Sequence, residues 1–266
     1  HGRSPRVEKH SVIRSAGLVG GLTLVSRGMG FVRDVLIANY FGTSGAASAF
    51  MAAFRIPNLF RALFGEGALS AAFIPVFVET RHKEGDPSAW RLAQQVFTLM
   101  TLLLAVIVVA GVGAATWALA RQGVGGFEEL VWRLFRIMFP YMLFICLTAV
   151  SMGALNSFGH FTVSAITPWV LNAVEIAVLL LVCPRLGTTP EERIYGVAWG
   201  VILAGFVQLG IQFPPLMKLG FRPRPVWDLR DPRLRRMLVL MGPVAIGRAV
   251  TQVNVAVDSL LALAIG

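Results

Sequence analysis

The chain has 266 residues, of which 56% are hydrophobic and only 14% charged, and its formal net charge is +10. With a mean hydropathy of +0.69 it falls outside the range of soluble domains, where roughly a quarter of residues are charged. Uncharged runs such as Leu92–Ala120, Ile137–Gly159 and Ile194–Met217 reach the ~20 apolar residues a membrane span needs. They lack the two-residue alternation of a transmembrane barrel, so an all-α polytopic membrane protein is predicted.

About seven helices are predicted: Ser11–Phe41, Ala47–Val78, Leu92–Ala120, Leu130–Asn156, Val163–Cys183, Ile194–Met217 and Met237–Ile265. The intervening segments carry turn chemistry, from Gly-Thr-Ser-Gly at 42–45 to the basic connector KLGFRPRPVWDLRDPRLRR at Lys218–Arg236. The predicted organisation is an N-terminal tail over 1–10, a six-helix lobe over 11–217, an interfacial connector over 218–236 and a seventh helix over 237–266. That last helix opens a second lobe that lies outside the chain. Trp227 and its flanking arginines mark the connector as interfacial.

Alternating the loops across the membrane puts Arg3, Arg6, Lys9, Arg14, Arg81, Lys83, Arg91, Lys218, Arg222, Arg224, Arg230, Arg233, Arg235 and Arg236 on one side. Only Arg121, Arg185 and Arg193 fall on the other. The positive-inside rule then predicts a cytoplasmic N-terminus. It also assigns the basic balance to topology and anionic headgroups rather than to nucleic acid.

Five charged residues lie inside the first two predicted helices: Arg27, Arg33, Asp34, Arg61 and Glu66. A charge at the bilayer centre costs at least ~2.5–3.5 kcal/mol, so it normally faces a cavity or a partner. Three arginines against two acids predict a polar, net-positive lining suited to an anion. A guanidinium binds phosphate through a planar two-pronged contact, which makes a diphosphate a sensible ligand class. At ~100° per residue Arg27 and Asp34 share a face of the first helix, while Arg55, Asn58, Arg61 and Glu66 fall on one arc of the second. The alternative is that Arg33–Asp34 or Arg61–Glu66 pair simply to hold helices together. For Glu175, alone in its helix, a paired structural role and a pathway role are both open. Asp258 in the last helix is a possible cation ligand or a partner of Arg248. Arg133 and Arg136 read as snorkelling side chains, His82 and His160 as solvated turn residues, and Cys146 and Cys183 as small buried hydrophobes. No triad, P-loop or metal spacing is present, so an enzyme reading has no support and neither metal nor cofactor is expected.

The stretches SRGMGFVRDVLIANYFG (Ser26–Gly42) and AFMAAFRIPNLFRALFGEGALSAAFIPVF (Ala49–Phe77) resemble the MurJ/MviN family of lipid II flippases, within the MOP exporter superfamily. FPYMLFICLTAVSMGALNSFGHF (Phe139–Phe161) and the MGP at Met241–Pro243 are similar to it as well. The resemblance implies a two-lobe inner-membrane transporter that carries undecaprenyl-diphosphate-linked peptidoglycan precursor to the periplasmic leaflet by alternating access. It also implies that Arg27, Arg33, Arg61 and Glu66 match the family's essential residues, that Arg33 and Arg61 touch the diphosphate, and that Asp34 is the acid of its Arg-Asp pair. The chain departs from the family pattern at Ser48, where many members have Asp. The family's length implies a missing C-terminal lobe, with a further cavity arginine and the partners of Asp258 beyond residue 266. Lipid II and membrane lipids are the implied partners. A flippase for another polyprenyl-linked saccharide, a drug exporter of the same superfamily and a non-transporting scaffold are the alternatives. The arginines argue against the last two, because a cationic-drug exporter calls for an acidic cavity and a scaffold needs no unmatched buried cations.

Overall fold

A computed structural model describes residues 5–60, 69–121, 123, 125–244 and 247, with side chains described from residue 20 onward apart from 22, 23 and 70. The described chain is helical, in the order α1 (Pro5–Phe41), α2 (Gly45–Phe60), α3 (Leu69–Glu84), α4 (Asp86–Ala120), α5 (Gly126–Met138), α6 (Tyr141–Ser157), α7 (Phe161–Leu181), α8 (Cys183–Leu186), α9 (Pro190–Gly210) and α10 (Phe213–Lys218). A further helix, α11, covers 232–244. Among the described residues four stretches are long and apolar enough to cross a membrane: α4, α5 with α6, α7, and α9 with α10. The outer faces of α4 and α9 present Val106, Val109, Trp117, Trp199, Leu203 and Phe206, which is how helices look when their neighbour is lipid.

Several helix limits differ from those predicted, always for a local reason. Of the predicted second helix, the two ends are described, as α2 and α3, and residues 61–68 between them lie outside the described residues. The predicted fourth breaks at Phe139–Pro140 between α5 and α6, because proline has no N–H to give the preceding turn. Helices α4, α9 and α11 start four to six residues before the apolar runs, each with proline in the first turn, α4 behind Gly85 at φ 88° and the other two at polar caps. In α9 the Thr189 side chain accepts from the Glu192 N–H while Glu192 reaches back to the Thr189 N–H, a reciprocal capping box with Pro190 in the first turn. In α11 the Asp231 carboxylate accepts from the Arg233 N–H at 2.9 Å ahead of Pro232.

The chain crosses the bundle back and forth, so its turns gather at two ends. At one end Arg81 donates to the Ser157 carbonyl at 2.8 Å, which joins the α3–α4 turn to the α6–α7 turn. The connector lies over the same corner: Trp90 donates to the Leu219 carbonyl at 2.9 Å, and Gln94 to that of Arg222 at 2.6 Å. At the other end Gly45, Gly126 and Glu191 line one cavity. Close packing inside uses small residues, as expected where no hydrophobic effect drives helices together in lipid. A Cβ at Gly205 of α9 would lie 2.7 Å from the buried Tyr141 ring of α6, and one at Gly200 would lie 3.3 Å from Val178 of α7.

Candidate functional site

Helix α1 packs mainly along α7, and the polar residues of both helices meet at that seam. Arg33 is three-quarters buried and directs its guanidinium to three partners. Its Nε and one terminal nitrogen donate to the same Asp34 oxygen at 3.0 and 2.8 Å. The other terminal nitrogen donates to the Asn172 carbonyl oxygen at 3.1 Å and lies 3.3 Å from the Glu175 carboxylate. Asn172 closes the cluster by donating to the Ser26 carbonyl at 3.0 Å. Gly30, one turn from both Ser26 and Arg33, faces Asn172, and a Cβ there would be in ordinary contact with its amide nitrogen at 3.5 Å.

The partners differ in environment. Glu175 is 5% exposed, whereas the Asp34 side chain is 65% exposed. The guanidinium is therefore held from behind by α7 and fronted by a carboxylate that water reaches. Its Nε edge, the two-donor face that matches a phosphate, is the edge occupied by the exposed Asp34. Arg27 lies about 9 Å lower on α1, at ~1.5 Å per residue. It is exposed and makes no ion pair among the described residues. On α2, Arg55 and Asn58 are both exposed around the buried Pro57.

The structure thus brings Arg33 and Asp34 together as the pair predicted, and it supplies two partners that the sequence pattern did not join to them. Glu175 is in the cluster, which settles its pairing. It places a second acid on Arg33, beside the Asp34 of the predicted lining. Asn172 was missed altogether. Its signal is its place three residues before Glu175, on the same face of an otherwise apolar helix. The predicted residues Arg61, Glu66 and Asp258, with Arg248, lie outside the described residues.

A second polar cluster, also not predicted, joins α6, α7 and α9 with α10. Gln208 donates to the Thr167 carbonyl at 2.8 Å, Gln212 to the Thr167 hydroxyl at 2.7 Å, and Ser164 to Asn156 at 2.7 Å. The Thr167 carbonyl and hydroxyl lie directly before Pro168, where the helix ladder lacks an N–H. These bonds act as packing glue between spans.

Residues 37–266 match the family model described as Lipid II flippase MurJ. The chain is 35% identical over 265 residues to the Lipid II flippase MurJ of Burkholderia cenocepacia, covering 96% of this chain and 51% of that protein. It is 39% identical to the Probable lipid II flippase MurJ of Vibrio cholerae, covering 94% of this chain and 49% of the relative. The chain therefore spans about half the length of the curated relatives it matches. Among solved structures it is similar to a lipid II flippase MurJ in an inward closed conformation, with a TM-score of 0.66 and 26% identity, over 91% of this chain and 49% of that one. A MOP superfamily transporter from Pyrococcus furiosus shares the fold, with a TM-score of 0.65 over 91% of this chain and 53% of that one at 14% identity.

Proposed function

Since the chain belongs to the lipid II flippase MurJ family, we propose that it is the first lobe of a transporter rather than an enzyme. In this reading it moves undecaprenyl-diphosphate-linked peptidoglycan precursor from the cytoplasmic to the periplasmic leaflet of a bacterial inner membrane. The lobe covers 11–217, the connector 218–236 lies on the cytoplasmic face, and the helix from 237 leads into a second lobe. That division is supported by the half-length match to the relatives. The two lobes rock about the site in alternating access. A cytoplasmic N-terminus is supported by the concentration of arginines and lysines at the connector end. Cysteines placed singly at Ser44 and Gly220 are expected to label from opposite sides of intact cells, and labelling of both from the periplasm would overturn this orientation.

The observation that carries the proposal is the Arg33 seam: a cation inside a membrane-crossing bundle, fixed by α7 and covered in front only by an exposed carboxylate. In the proposed binding step, diphosphate oxygens replace Asp34 on the Nε edge, while Asn172 and Glu175 keep the guanidinium oriented. Arg27 and Arg61 supply the positive charge that the cluster of one arginine and two carboxylates lacks. Glu66 and Asn58 line the same path, and Asp258 takes a cation together with groups of the second lobe. A second reading, that Arg33 is only a fastener between α1 and α7, draws on the same ion pair to Glu175. Growth of a flippase-depleted bacterium complemented by the full-length protein tests the first. Arg33→Ala with Arg61→Ala is expected to abolish rescue at matched membrane abundance, and Arg33→Lys to restore part of it, since lysine keeps the charge and loses the fork.

A further inference from the structure

The connector leaves two cavities that meet at one arginine. The first, about 390 Å³, is an apolar slot lined chiefly by Phe97, Leu102, Leu147, Phe213 and Phe221, with Arg224 at its rim. The second, about 400 Å³, carries an excess of cations: Arg91, Arg222 and Arg224 line it against Asp86, with Gln94 and Trp90 beside them. Pro223 and Pro225 hold the backbone between them extended, and Val226 is pinned to α4 by its N–H to the Thr98 hydroxyl at 3.0 Å. The shape is therefore set by the fold rather than by side chains alone.

The charges in the second cavity are not matched internally. Asp86 is taken by Arg81 at 2.9 Å, and Arg91 lies 3.8 Å from Asp228. Arg222 and Arg224 are exposed and make no ion pair among the described residues. Trp227, exposed on the same connector, is the residue type that settles at the headgroup level of a bilayer.

We propose that these two cavities form one binding site for an anionic phospholipid of the membrane. Its phosphate lies between Arg222 and Arg224, and an acyl chain fills the slot beneath. A phosphate needs the cationic pocket and an acyl chain needs an apolar one that opens on the bilayer; the two are adjacent here and share Arg224. Basic pockets at the membrane surface take anionic headgroups in this way. The site is far along the chain from the Arg33 seam and does not depend on lipid II being the substrate. Occupied, it would tether the connector to α4 and so hold the start of α11 at the membrane surface.

The test is native mass spectrometry of the full-length protein titrated with dioleoylphosphatidylglycerol, and in parallel with dioleoylphosphatidylcholine. The first is expected to bind more tightly. Arg222→Gln with Arg224→Gln should remove that preference, at about fivefold per arginine, without changing the melting temperature, because neither side chain has a partner to lose. Leu102→Trp, which fills the slot from an exposed position, should weaken both lipids alike. Equal binding of the two lipids by the unaltered protein, or unchanged binding in both variants, would overturn the proposal. So would displacement of phosphatidylglycerol by inorganic phosphate, which would mark a plain anion site, or by equimolar undecaprenyl diphosphate, which would make it a substrate site.

Discussion

The α1–α7 seam and the connector latch are both built from a mostly buried arginine, one enclosed carboxylate and one exposed one, yet they differ in what else holds the enclosed acid. At the seam Arg33 and Glu175 meet inside the bundle, with Glu175 almost fully enclosed. At the latch Arg233 bridges the buried Asp231 at 2.6 Å and the exposed Glu84 at 2.7 Å, and Arg236 reaches Glu79 at 2.7 Å. Water and salt screen the Glu84 and Glu79 ends of the latch, where pairs contribute little each, while the enclosed Asp231 is also held by the Gln95 side chain and the Arg233 N–H. At the seam Glu175 has Arg33 as its one ion-pair partner among the described residues, so removing that arginine strands it. The lesson is that the number of ion pairs says little, whereas the loss each member would suffer alone says much.

The largest expected effect follows directly. Glu175→Ala leaves Arg33 with only Asn172 and the exposed Asp34 and is expected to destabilise the bundle by up to about 3–5 kcal/mol. Replacing both members with apolar residues, as in Arg33→Met with Glu175→Leu, should recover most of that loss. A double-mutant cycle on thermal unfolding in detergent measures the coupling. Additive single effects would break the contrast with the latch.

Next in size is Gly205→Ala, which forces a methyl group to within 2.7 Å of the Tyr141 ring. A cost of about 1–3 kcal/mol is expected from overpacking, read as a lower melting temperature. Gly210→Ala, with open space at its Cβ position, is the matched control.

Much of this was legible in sequence, though not the seam itself. Hydropathy finds the spans because lipid demands an apolar face, but helices continue into water until a cap stops them. Hence Pro190, Asp86 and Pro232 begin helices that the apolar runs start at Ile194, Leu92 and Met237. The Thr-Pro-Glu-Glu at 189–192 and Asp-Pro at 231–232 carry the correction in plain view. The α1–α7 cluster is harder, because nothing local tells Arg33 that Glu175, 142 positions away, lies beside it. That pairing is set by helix packing. Arg33 and Asp34 were legible as a candidate site, Asn172 only as a polar residue on the face of Glu175.

The latch sharpens the comparison through pH. The Arg233 guanidinium, followed by the Gln95 and Arg233 backbone N–H donors, holds the Asp231 carboxyl far below the usual carboxylate range against the opposing effect of burial. A depressed folded-state pKa contributes stability that is fully present above the ordinary value of about 3.9 and is lost as pH falls below it. Hydrogen exchange across 219–234 is therefore expected to stay slow at neutral pH and rise below about pH 4. Arg233→Ala should shift that rise to higher pH.

The smallest effect belongs to Lys83, whose exposed pair with Glu79 spans 2.8 Å on the surface of α3. Lys83→Ala is expected to leave the melting temperature within error, and a clear drop would mean that the latch is more cooperative than its exposure suggests.

The most direct test separates fastening from binding at Arg33. The neutral pair Arg33→Met with Glu175→Leu keeps α1 packed on α7 but removes the fork that would hold a diphosphate. Lipid II flipping by this variant of the full-length protein, in vesicles at matched folded content, is the measurement. Folded protein without transport is the expected result. Transport at the unaltered rate would contradict the phosphate role and leave Arg33 as a fastener alone.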